Sequence, residues 1–180
     1  MQRLQFLSSI SGLVALSLSG GCGDDSCGPG GAQDAGLLAS SADVVLNYGD
    51  ITSGPNHDCP DPDAPDVEPL TLQGTQIDGP GLLTLCIPRP DLLQKGELQL
   101  GTSVFIIDLN GEVDACTYAL ERLRPVTGAV SATGLCDNGT NPAGYALTVD
   151  GALSLKRTCA TAMDTIAVTF TGTVAIAATP

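Results

Sequence analysis

The chain has 180 residues with 20 acidic and seven basic side chains, a net charge of −13 and a hydrophobic fraction of 43%. That is the size and apolar content of one ordinary domain with a tether, while the charge repels phosphate backbones and so argues against nucleic-acid binding. Aromatic residues are 3% of the chain and Trp is absent, which argues against a stacking platform for sugars or bases.

The N-terminus opens with Met1-Gln2-Arg3, followed by an apolar stretch from Leu4 to Leu18 broken only by small residues such as Ser8, Ser9 and Gly12. These are the basic and apolar regions of a secretory signal, shorter than the roughly 20 apolar residues a membrane-spanning helix needs. The stretch runs into Leu18-Ser19-Gly20-Gly21-Cys22. This segment resembles the signal of bacterial lipoproteins, in which small residues precede a cysteine that is diacylated before the signal is cut in front of it. Ser19 stands where that family usually has leucine, with Leu18 one step back. The resemblance implies removal of residues 1–21, a lipid on Cys22 and a Gram-negative envelope location, with Gly23 favouring the outer membrane. The alternative is an ordinary signal cut near Ser17-Leu18-Ser19. Residues 22–180 keep six basic against 20 acidic side chains, a net charge of −14.

Cysteine parity agrees with an anchor. The seven cysteines are Cys22, Cys27, Cys59, Cys86, Cys116, Cys136 and Cys159. Lipidation of Cys22 leaves six, enough for three bridges in an exported protein. None has the short C-x-x-C spacing of zinc sites, so structural disulfides are expected.

Residues 23–42 are rich in Gly, Ser, Ala and Asp without sustained periodicity. They read as a flexible spacer that would reach about 25 Å. Asp43–Tyr48 begins a single β domain spanning 43–180. Pro55–Pro69 carries Asp58, Asp61, Asp63 and Asp66 among repeated prolines, which forbids a helix or central strand and predicts a surface loop pinned at Cys59. Beyond it, short apolar runs alternate with turn signals over 70–77, 81–87, 97–108, 112–118, 126–135, 144–150, 153–159 and 165–178. A helical stripe through Ala115, Ala119, Leu120 and Leu123 competes with one of these strands. The fold class expected is all-β, an antiparallel β-sandwich or small barrel of about seven to nine strands, stapled by disulfides.

Two C-terminal features set register. The even positions Ile166, Val168, Phe170, Gly172, Val174, Ile176 and Ala178 are apolar or glycine, predicting a long half-buried strand with a Thr-rich outer face and a bend or bulge at Gly172. Val149-Asp150-Gly151-Ala152-Leu153 reads as a three-residue hairpin, opposing Val149 to Leu153 and Leu147 to Leu155. Strand faces then suggest the pairs Cys86–Cys116, both on less apolar faces, and Cys136–Cys159, both on the core side. Cys27–Cys59 remains by elimination.

Few residues carry candidate chemistry. His57 is the sole histidine and sits in the acidic Pro-rich loop, where a solvated role is expected; no G-x-S-x-G elbow accompanies it. Gly28-Pro29-Gly30-Gly31 lacks the strand and helix of a phosphate-binding loop. No catalytic residue is assigned. Asp108, Asn110, Glu112 and Asp114 could offer oxygens to calcium from alternate positions of an extended loop, although Asn110-Gly111 is also a favoured hairpin turn. Asp58, Asp61, Asp63 and Asp66 form a similar acidic cluster. Asn138-Gly139-Thr140 is a formal glycosylation sequon whose Asp137-Asn138-Gly139 core reads as a turn. The function expected is therefore a non-catalytic, lipid-anchored envelope protein with an interaction or structural module. It would meet the membrane through its lipid and an unidentified envelope protein through its β domain. The alternative is a small calcium-dependent binding protein or a hydrolase using acidic loop residues.

Overall fold

A computed structural model describes residues 36–55, 59, 61–134 and 144–177. Its strands are β1 Leu37–Ser40, β2 Val45–Pro55, β3 Leu70–Gln76, β4 Leu82–Ile87, β5 Glu97–Gln99, β6 Phe105–Val113, β7 Cys116–Leu120, β8 Thr127–Gly134, β9 Gly144–Thr158 and β10 Met163–Ala177, with a 3-10 helix at Pro90–Lys95. The ladder runs β10-β1-β2-β3-β4-β6-β7-β9 and closes where β9 pairs with β10. All its pairings are antiparallel. The result is an eight-stranded antiparallel barrel, the second of the two architectures expected. β8 and β5 extend from β9 alongside β7 as a short flap.

Period-2 patterning dictates what fills the barrel. Along β10, Val168, Phe170, Val174 and Ile176 point inward, each no more than 3% exposed, while Thr165, Thr169 and Thr171 alternate with them. Tyr48, Leu46, Leu83, Leu85, Leu109 and Leu155 complete a side-chain core, as expected for a barrel of this strand number. Arg157 and Asp164 form an exposed bidentate pair across β9 and β10, with Nε–Oδ1 at 2.8 Å. That contact holds the Asp164 carboxyl below its ordinary range. Gly172 has φ +146, and a Cβ there would meet the carbonyl oxygen of Gly36, so the glycine serves the close approach of β1 to β10, while the β9–β10 register runs through it without a bulge. Among the described residues, no helix is long and apolar enough to cross a membrane.

Several expectations are corrected. Part of the presumed spacer is structural: β1 slots between β10 and β2, with Leu37 and Ala39 fully buried. Four residues give too short a run for periodicity to register, yet they close the wall. Val149–Leu153 is no hairpin. β9 passes straight through Asp150-Gly151 and pairs with β10 along its whole length, from Gly144↔Ala177 to Thr158↔Met163. Gly151 is needed because β8 crosses closely there: Gly128, at φ +130, pairs with it, and a Cβ on Gly151 would press on Leu100 and the Thr127 carbonyl. The face assignment survives, since Tyr145, Leu147, Val149, Leu153 and Leu155 all point inward.

Asn110-Gly111 also makes no turn. Both residues lie within β6, and the chain reverses at Asp114-Ala115, with φ of 51° and 62°. The helical stripe from Ala115 is likewise replaced by β7. Residues 97–108 are not one strand but two, broken at Gly101-Thr102-Ser103, where Gly101 has φ +89.

The expected cysteine pairs are overturned. The bridges are Cys59–Cys86, with Cα atoms 6.4 Å apart, and Cys116–Cys159, at 4.3 Å. Cys86 does point away from Leu83, Leu85 and Ile87, but β6 separates β4 from β7, so its outward side meets the acidic loop rather than Cys116. Cys116 follows the β7–β9 register, in which Thr117 faces Thr158 and the next position brings Cys159 alongside. Cys22, Cys27 and Cys136 lie outside the described residues. Disulfides of this kind persist only where thiols are not kept reduced, so the domain belongs to an oxidising, non-cytoplasmic compartment.

Candidate functional site

Because side chains fill the barrel, the openings available to a ligand are on its surface. The more enclosed one lies where the acidic loop, the 3-10 helix and the β5–β6 connection meet. Pro90 starts the helix with its fixed φ, and Gly96, at φ +86, ends it by donating its N–H to the Leu93 carbonyl. Leu93 is buried and Leu92 stays half-buried at the surface. Opposite, Cys59–Cys86 holds the acidic loop against the outer face of β4. The loop is ordered beyond the bridge: the Asp63 N–H donates to Asp61 Oδ1 at 2.9 Å and the Ala64 N–H to the Asp61 carbonyl at 3.1 Å.

Between these walls is a groove of about 230 Å3 with a floor of Pro62, Pro88, Leu92, Leu98 and Phe105 and a rim of Asp61, Arg89, Thr102 and Ser103. Phe105 is 40% exposed, although the chain has only three phenylalanines and Phe170 is fully buried. Arg89 grips Asp91 through two hydrogen bonds of 2.8 and 2.6 Å and lies 3.9 Å from Asp61. The Asp91 carboxyl is thereby held below its usual range. Arg89 is thus shared between two carboxylates, and the groove offers an outside molecule apolar surface and a rim with a net negative charge.

A second, more open depression of about 450 Å3 lies outside β6, β7 and β9, bounded by Pro80, Gly81, Glu112, Thr117, Lys156 and Thr158 among others. It contains part of the proposed calcium set, but the four residues do not converge. Alternate positions of a strand sit about 6.6 Å apart, so Asp108, Asn110 and Glu112 spread along β6 and Asp114 falls in the turn. The Asn110 amide is engaged locally, donating to Asp108 Oδ2 and accepting from the Leu82 N–H, both at 3.0 Å. Among the described residues, no three His, Cys, Asp or Glu side chains gather where they could hold a metal ion. His57, Asp58, Gly28–Gly31 and Asn138 lie outside the described residues.

The groove was not foreseen from sequence. Its one available signal was Gly101-Thr102-Ser103, three turn-forming residues inside a run otherwise read as strand, which leave Phe105 at a strand start facing solvent. Compared with known proteins, the chain matches no family model, no curated protein and no solved structure.

Proposed function

We propose that this chain is a non-catalytic, lipid-anchored cell-envelope protein whose barrel serves as an interaction module, with the groove under the acidic loop as its contact face. The observation that carries the reading is the distribution of space: the core is packed with side chains, and an exposed phenylalanine lies in a disulfide-braced surface groove. Such a role needs no substrate cavity inside the barrel; it needs a stable wall with a defined outer face. The lipoprotein-like segment ending at Cys22 and the odd cysteine count support the anchor, and the disulfides agree with export. The lipid would hold the barrel near the envelope while its surface meets a partner. Fractionation tests this: wild type should sediment with membranes and Cys22→Ser should be released. Equal solubility of the two would overturn the anchored reading.

A further inference from the structure

The groove has a size, a floor and a surrounding charge, and together these restrict its occupant. Its volume of about 230 Å3 falls below the roughly 300–1,000 Å3 of small-molecule sites, which suits one inserted side chain rather than a whole cofactor. The floor of Leu92, Leu98, Phe105 and two prolines is apolar and offers an aromatic edge. The segments forming the walls, residues 61–68 and 88–99, carry six acidic side chains against Arg89 and Lys95, and Arg89 is committed to Asp91 and Asp61. An apolar pocket inside a negative rim is complementary to an apolar anchor flanked by cations, and it repels anionic lipid surfaces and acidic chains.

Resting on the interaction reading above, we infer that the groove docks a cationic segment of a partner protein, inserting one aromatic or large aliphatic side chain against Phe105 while neighbouring Lys or Arg residues face Asp61 and the acidic loop. Burying the anchor supplies affinity, and the surrounding charges steer the approach and set selectivity, so binding weakens with salt.

The test uses the full, disulfide-bonded protein isolated from its membranes in mild detergent and three fluorescein-labelled peptides followed by anisotropy: Lys-Lys-Phe-Lys-Lys, Lys-Lys-Ala-Lys-Lys and Glu-Glu-Phe-Glu-Glu. The cationic Phe peptide should bind about tenfold or more tightly than the Ala peptide, with the acidic peptide weakest. Phe105→Ser should erase the Phe-over-Ala preference. Thr102→Lys, on the exposed rim, should weaken the cationic Phe peptide without touching the core, which covers the case where Phe105→Ser does not fold. Leu123→Ser, on the exposed 121–126 loop, should bind as wild type. Equal binding of the two cationic peptides overturns the proposal, leaving nonspecific charge attraction. Phe105-dependent binding of the acidic peptide overturns the cationic partner while leaving the groove a docking face. Self-association that Phe105→Ser abolishes makes a second copy the occupant and likewise overturns it. No Phe105-dependent binding by any peptide overturns both the inference and the assignment of the groove as contact face.

Discussion

The side chain of Gln76 pairs with the backbone of Glu112 as though it were a neighbouring strand: its Nε2 donates to the Glu112 carbonyl at 2.8 Å, and its Oε1 accepts from the Glu112 N–H at 3.0 Å. Gln76 is only 6% exposed and ends β3, while Glu112 lies near the end of β6, so the amide ties two walls of the barrel together at the end where short hairpins turn. The contact demands open space around it. A Cβ on Gly81 or Gly111 would come within 2.5 or 2.7 Å of the Gln76 Oε1. This is why Asn110-Gly111, a turn signal when read alone, lies in a strand instead: its glycine is used for close approach.

Gln76→Leu keeps the volume but strips both partners from Glu112, and should cost about 2 kcal/mol in urea unfolding. Gln76→Glu carries a sign that a packing effect would not. Its carboxylate can accept from the Glu112 N–H but opposes the Glu112 carbonyl, which raises the folded pKa. Stability relative to wild type should therefore be best below the unfolded value of about 4.3 and fall as pH rises through the folded one. A pH-independent deficit would contradict the paired-amide account.

Ala115 should be improvable. It turns the β6–β7 hairpin at φ 62 beside Asp114 at φ 51, a geometry suited to Asn-Gly rather than to a residue with a Cβ. Left-handed backbone costs an L residue about 1–2 kcal/mol, partly offset by the extra unfolded-state freedom of glycine. Ala115→Gly is expected to raise thermal stability by about 0.5–1 kcal/mol, and a loss of stability would show that the turn is not left-handed.

What was legible in the sequence was local and periodic. The inward parity of β10 from Ile166 to Ile176, the boundaries of β3 and β4, and the acidic loop pinned at Cys59 all follow from side-chain alternation and proline content. The parity of β9 was also present, unbroken from Tyr145 to Leu155 through Asp150-Gly151. That continuity marks one strand, and in the folded barrel it prevails over the turn preference of the Asp-Gly dipeptide. Strand order was not legible, and the cysteine pairing failed with it: faces say which side Cys86 takes, while only topology says whether Cys116 or the loop lies there. The groove depends on the same missing information, since Leu92, Leu98 and Phe105 come from three separate elements.

Tyr48 gives an alkaline signature. Its hydroxyl donates to the Asn110 carbonyl at 2.8 Å, and burial, with Asp108 adding repulsion, pushes its pKa well above the ordinary value. The folded state therefore holds this proton more tightly than the unfolded state. Its contribution to stability is full below the unfolded pKa of about 10 and declines as pH rises from there toward the folded value. In an ultraviolet titration, the Tyr48 phenolate band should appear only as the barrel unfolds, and Tyr48→Phe should remove that step. Ionisation of Tyr48 in a fully folded barrel would contradict its placement in the core.

Non-reducing peptide mapping should recover Cys59–Cys86 and Cys116–Cys159, which enclose sequence separations of 27 and 43 residues. On the chain-entropy model each stabilises by roughly 3.5–4 kcal/mol. Removing Cys59 and Cys86 together should also loosen the acidic loop and weaken the cationic-peptide binding of the groove, whereas removing Cys116 and Cys159 should lower stability with less effect on that binding. A peptide linking Cys86 to Cys116 would contradict the strand order.

The chemical state of Cys22 decides whether the barrel is anchored. Intact and peptide mass spectrometry of the protein recovered from the membrane fraction reads it directly. The expected result is a mature chain that begins at Cys22, carries a diacylglyceryl group on that thiol and has no residue before it. A chain cut near Ser17-Leu18-Ser19, recovered free of membranes with Cys22 unmodified, would contradict the envelope-anchored reading.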